Sequence, residues 1–105
     1  MVHHIILFKL KPEVTPAKLE EMMRTTRMSL LKIPEVLSVK CGKAIHMPAD
    51  WPFFIALDYE SMEKLAVTED DAIYMKFMAE VITAHTTECL SIHYEMDPGK
   101  NIKFS

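Results

Sequence analysis

Met1-Val2-His3-His4-Ile5-Ile6-Leu7-Phe8-Lys9-Leu10-Lys11 reads as a β-strand with apolar residues on both of its faces. Val2, His4, Ile6, Phe8 and Leu10 share one side of the pleat, and Ile5 and Leu7 the other, because successive side chains of a strand alternate. A strand that needs cover on both sides belongs inside a sheet rather than at its margin. His4 falls in line with Ile6 and Phe8, where an imidazole must find a partner or border a cavity. The adjacent His3 faces the opposite way.

Outward from this strand, Pro12 ends the extended run, and Thr15-Pro16 supplies a capping hydroxyl followed by a proline at the first helical position. Leu19, Met22, Met23, Thr26, Leu30 and Ile33 then recur at steps of three and four, one face of a helix closing near Lys32 before Pro34. Glu20 and Arg24 are spaced for a surface pair on it. Val36 to Ile45 fits a half-exposed edge strand with a bulge or bend at Gly42. His46-Met47-Pro48-Ala49-Asp50 is turn-like, and Trp51 to Glu60 is an aromatic and β-branched strand that can form a hairpin with its predecessor. Ser61 caps a short helix through about Thr68. Asp70 or Asp71 caps a second helix, whose apolar stripe is Tyr74, Phe77, Met78, Val81 and Ile82. From Thr87 to Met96 the period changes to two, with Leu90, Ile92 and Tyr94 on one side and Cys89, Ser91 and His93 on the other. Asp97-Pro98-Gly99 turns the chain into a short tail, where Ile102 and Phe104 want a surface to rest on.

This order of elements predicts an α+β fold, the ferredoxin-like βαββαβ arrangement of an antiparallel sheet with helices on one face. The first and last strands are expected to be adjacent and central. Helices cover one face only, yet the first strand is apolar on both. The remaining face, with Ile5, Leu7, Leu90, Ile92 and Tyr94 as candidates, would leave a large apolar patch exposed on a monomer. It is better explained as a homodimer interface in which two sheets pack face to face. Periodicity alone leaves open which face is which.

With 105 residues, the chain is expected to be one domain over residues 1–105, with a short tail at 97–105. The formal net charge of -3 is small and both signs are interspersed, which sets nucleic acid aside as a partner. Cys41 and Cys89 sit in apolar runs without a CxxC pair and read as buried, reduced thiols. No stretch approaches a membrane span, and the start lacks the pattern of a secretory leader, so a cytoplasmic protein is expected. His3, His46 and His85 lack a carboxylate or thiol partner at ligand spacing, and no metal site is expected.

Five stretches taken together carry a resemblance: His4-Ile5-Ile6-Leu7-Phe8-Lys9-Leu10-Lys11, the Thr15-Pro16 helix, Lys32-Ile33-Pro34-Glu35-Val36, Phe54 to Leu65 and Leu90-Ser91-Ile92-His93-Tyr94-Glu95. In order and spacing the sequence resembles the stress-responsive α/β-barrel family, often called Dabb, over nearly its whole length. The resemblance implies a dimeric α+β barrel of ferredoxin-like subunits, in a family most of whose members have no assigned activity. One branch, a plant polyketide cyclase, closes a ring by aldol condensation without cofactor or metal, using a histidine and tyrosines in a pocket between sheet and helices. Its first-strand histidine matches His4, which turns that face toward the helices. Its catalytic histidine begins a His-x-x-aromatic motif that aligns with Tyr74-Met75-Lys76-Phe77, and its two tyrosines fall on Thr26 and near Thr68. These replacements count against the same cyclisation. Cofactor-free monooxygenases of the same architecture are an analogy of fold.

His4, His93 and Tyr74 are therefore the candidate catalytic residues, a proton-transfer set if two imidazoles and a phenol converge. The competing reading makes the histidines hydrogen-bonded core or rim residues and Tyr74 part of a packed stripe. Ser91 has no Gly-x-Ser-x-Gly setting, and neither cysteine shows an activating context, so covalent catalysis is not expected. The function expected is a homodimer that binds or transforms a small apolar or aromatic organic molecule without a cofactor, by cyclase-, lyase- or monooxygenase-like chemistry. The alternative is a non-catalytic stress-responsive structural protein.

Overall fold

The computed structural model describes residues 1–96; the expected turn at Asp97-Pro98-Gly99 and the tail with Ile102 and Phe104 lie outside them. Four strands and three helices follow in the order β1 (Val2–Leu10), α1 (Pro16–Leu30), β2 (Val36–Lys43), β3 (Phe53–Tyr59), α2 (Met62–Glu69), α3 (Ala72–Phe77) and β4 (Thr86–Glu95). Each helix begins on a side chain that satisfies an otherwise orphaned backbone donor. The Thr15 hydroxyl accepts from Lys18 N–H at 3.1 Å, the Ser61 hydroxyl from Lys64 N–H at 3.3 Å and the Asp71 carboxylate from Ile73 N–H at 2.8 Å. The apolar stripe of α1, from Leu19 through Met22, Met23 and Thr26 to Leu30, is buried as its spacing requires.

The strands form one antiparallel sheet in the order β2-β3-β1-β4. β1 is interior and adjacent to β4, but β4 is an edge strand and not a central one. The second interior place belongs to β3, which β1 and β2 flank, whereas among the described residues β4 pairs with β1 alone. Composition explains the fit: β3 carries Phe53, Ile55, Ala56, Leu57 and Tyr59, all buried, whereas β4 is exposed along most of its length.

Val2, His4, Ile6 and Phe8 of β1 point toward the helices, opposite Tyr59, Leu57, Ile55 and Phe53 of β3. This layer is the core, and Phe8 and Phe53 stack within it at 5.4 Å between ring centroids. Burying such a ring contributes about 1.5–3 kcal/mol. His3, Ile5, Leu7 and Lys9 occupy the other face, which no helix of the described residues covers.

Several local expectations are corrected by the packing. The irregularity of β2 lies at Leu37, skipped between Val36 and Ser38, and not at Gly42. Gly42 pairs in regular register with Phe54, whose ring lies where a Cβ would stand, 2.8 Å from Cε1. Glu20 bonds Lys43 of β2 at 2.6 Å instead of Arg24, because the neighbouring strand presents an ammonium closer than its own helix does. Cys89 is exposed, as its place on the edge strand dictates, and Cys41 is half-buried with its thiol donating to the Met23 carbonyl at 3.4 Å. The last helix does not run on in α-form: Met78–Thr83 is a π-helical turn. Phe77 and Ile82, five residues apart, are both buried by that wider turn.

Candidate functional site

β1 and β4 set the site, because their register places His4 directly opposite His93. Both side chains point to the helix side, and the rings stack with centroids 4.1 Å apart and planes 19° from parallel. Ser91, two residues before His93 and therefore on the same face, brings its hydroxyl to 2.6 Å from His4 Nε2. His4 is only 4% exposed, while His93 and Ser91 lie open on the edge strand.

Burial first, and the neighbouring His93 second, push the His4 imidazole down to about 4. It is therefore uncharged at neutral pH, with one ring nitrogen bearing a proton and the other a lone pair. The Ser91 hydroxyl can satisfy Nε2 in either tautomer. Nδ1 is buried and has no hydrogen-bond partner. An unpartnered buried polar atom costs about 1–3 kcal/mol, so this one stands out among the described residues, where the other buried polar side chains, Thr26 and Thr68, have their hydroxyls bonded. An open surface pocket of about 200 Å³ is lined by Val2, Met62, His93, Tyr94 and Glu95.

Tyr74 projects from α3 and is half-buried. Burial, then the charges of Glu69 and Cys89, raise its phenol above the ordinary value, so it remains a protonated donor. No hydrogen bond joins it to either imidazole among the described residues. The structure thus brings His4 and His93 together and leaves Tyr74 on the helix layer. Burial likewise raises the phenol of the core residue Tyr59, with Tyr74 adding to the effect and the Thr68 hydroxyl opposing it. Thr26 and Thr68, the positions of the cyclase tyrosines, are 0% exposed and spend their hydroxyls on helix carbonyls, Met22 at 2.7 Å and Lys64 at 3.1 Å.

A second polar cluster was not readable from sequence spacing. His3, which has no carboxylate at ligand spacing along the sequence, donates from Nδ1 to Asp58 on β3, and Ser38 of β2 donates to the other oxygen of that carboxylate at 2.6 Å. Burial raises the Asp58 carboxyl, but the hydrogen bonds from Ser38 and His3 and the charges of His3 and Lys40 outweigh it and hold it below the ordinary value. Register accounts for the assembly: Ser38, Asp58, His3 and Tyr94 form one row across all four strands on the open face. Among the described residues no group of three or more His, Cys, Asp or Glu could hold a metal ion.

The family model for the stress responsive A/B barrel domain, Dabb, matches residues 2–96. The chain belongs to the Dabb family. Several solved structures share the fold of this Dabb domain at low identity. An Arabidopsis thaliana protein is 21% identical with a TM-score of 0.80, covering 92% of this chain and 96% of its own. A Thermobifida fusca protein described as dimeric, ferredoxin-like and of unknown function is 19% identical with a TM-score of 0.80, covering 90% of each chain. The hydroxynitrile lyase of Passiflora edulis is 15% identical with a TM-score of 0.78, covering 91% of this chain and 93% of its own. Among curated proteins there is no match to the sequence. No helix of the described residues is long and apolar enough to cross a membrane.

Proposed function

We propose that this Dabb domain pairs with a second copy through the open face of its sheet and binds or transforms a small apolar or aromatic organic molecule on the helix side, without a cofactor. The observation that carries the reading is His4: buried, uncharged, and with an unpartnered Nδ1 beside an exposed second imidazole. A neutral imidazole offers one N–H donor and one lone pair, so His4 can orient a carbon or oxygen acid by hydrogen bonding, while the exposed His93 stacked on it reaches the same ligand. His93 lines the 200 Å³ pocket, so a ligand seated there meets His93 first and His4 behind it. Tyr74 is the candidate proton donor from the helix layer. The Passiflora edulis relative is a hydroxynitrile lyase, and lyase-type proton transfer is chemistry that two imidazoles can supply. The cytoplasm suits two free cysteines, one of them exposed.

Histidine-resolved NMR during titration with aromatic and polyketide-like compounds tests this reading. Ligand-dependent shifts of His4 and His93, with the His93 shift lost in a folded His4→Ala dimer, support it, and unmoved resonances across the panel refute it. A second reading, a structural dimer without activity, is favoured by the sealed Thr26 and Thr68 positions. In that case His4→Ala alters stability and nothing else.

A further inference from the structure

The open face carries two apolar rows, Ala56-Ile5-Ile92 and Phe54-Leu7-Leu90, bordered on one side by the polar row Ser38-Asp58-His3-Tyr94. Beyond the other side, Lys9 pairs with Glu88 at 3.5 Å and sits 5.0 Å from the Trp51 ring centre. An apolar centre with a polar rim is the anatomy of a protein interface. If a second copy covers this face, as the proposed pairing requires, the Asp58 carboxylate loses water at the moment of association. A buried carboxylate needs a counter-charge. The groups that face it are Ser38 and Lys40 from β2, His3 from β1 and, beyond His3, Tyr94 from β4. His3 is the imidazole among them, the side-chain type whose charge changes between about pH 5 and 8.

We propose that the His3–Asp58 pair, steadied by Ser38, is a proton-linked contact of the self-association face, so that each subunit takes up a proton on His3 as the dimer forms. This rests on the face-to-face pairing proposed above. The sign follows from charge. With His3 protonated, the carboxylate enters the interface with a hydrogen-bonded counter-charge; with His3 neutral, only the Lys40 charge, which makes no hydrogen bond to it, faces the buried anion. Acidification from pH 8 to 6 therefore tightens the dimer. A twofold axis places two such pairs in each interface, which steepens the dependence.

Sedimentation equilibrium at pH 6, 7 and 8 tests the link, with wild type, His3→Gln, Asp58→Asn and His93→Gln. The expected result is a dimer Kd that rises tenfold or more from pH 6 to 8 in wild type and in His93→Gln, and stays flat in His3→Gln and Asp58→Asn. Should the dimer be too tight to dissociate, the same series in a Leu7→Ala background brings it into range. A measurable dimer whose Kd ignores pH, or whose pH dependence survives His3→Gln, overturns the proton link and leaves the pairing intact. A monomer at every pH overturns both.

Discussion

His3 and His4 are consecutive residues of one strand, and the protein solves their polarity in opposite ways. His3 looks out from the open face and shares its proton with a carboxylate that Ser38 also holds. His4 looks into the helix layer, has no carboxylate, and remains uncharged against Ser91 and His93. The difference lies in the strands on either side. β3 offers Asp58 to His3 but Leu57 to His4, and β4 offers Tyr94 to His3 but His93 to His4. What a side chain becomes is set by its cross-strand neighbours, and a one-residue slip of register would turn each histidine to the opposite face and give it different neighbours.

The contrast between the faces can be broken most forcefully at Phe8 and Leu7. Phe8→Ala, on the covered face at 0% exposure, is expected to lose about 3–5 kcal/mol in urea unfolding. Leu7→Lys, one residue earlier, should leave the isolated subunit folded by circular dichroism while abolishing the proposed pairing. Equal losses of fold in the two variants would erase the distinction between the faces.

The next effect is in pH. Because the folded state holds His4 near 4 against an ordinary 6.5, the unfolded chain binds the proton more readily in that interval. Stability is then complete above about pH 6.5 and falls by about 3 kcal/mol as pH drops to 4. A stability profile measured on His4→Phe should lack that slope. Asp58, held below the ordinary carboxylate range, stabilises the fold above that range and loses its contribution only as pH falls further. In unfolding of the subunit Asp58→Asn should accordingly alter the acid end, and an unchanged slope in His4→Phe would assign the middle interval to another group.

The mildest test is Gly42→Ala on the open face. Its Cβ would stand 2.8 Å from the Phe54 ring, which is half-buried and can turn aside, so about 1 kcal/mol should be lost in thermal unfolding. A loss above about 3 kcal/mol would mean that Phe54 is as rigidly held as the core rings.

Most of the frame was legible because it depends on local signals. Thr15-Pro16, Ser61 and Asp71 cap the helices they announced, and the alternation of β4 separates Ser91 and His93 from Ile92 and Tyr94 as observed. The stacking of His4 on His93 needed only the adjacency of first and last strands that the element order implies. The His3–Asp58 contact, between residues 55 positions apart, needed the register of β1 against β3, which no spacing within either strand reveals. The edge position of β4 was written in the contrast between its glutamates and threonines and the apolar run of β3. The π-helical turn at Met78–Thr83 had no signal of its own, since the same apolar positions also satisfy an α-helical stripe.

The place of β4 at the margin has a consequence for how the protein behaves in a crowded solution. Among the described residues, these ten positions of extended chain have only β1 alongside, and they present a row of unpaired amides and carbonyls on which a foreign strand could nucleate. Glu88 and Glu95, toward its two ends, would burden any added strand with carboxylates that repel their own kind. The margin of the sheet thus carries a built-in deterrent to fibril growth.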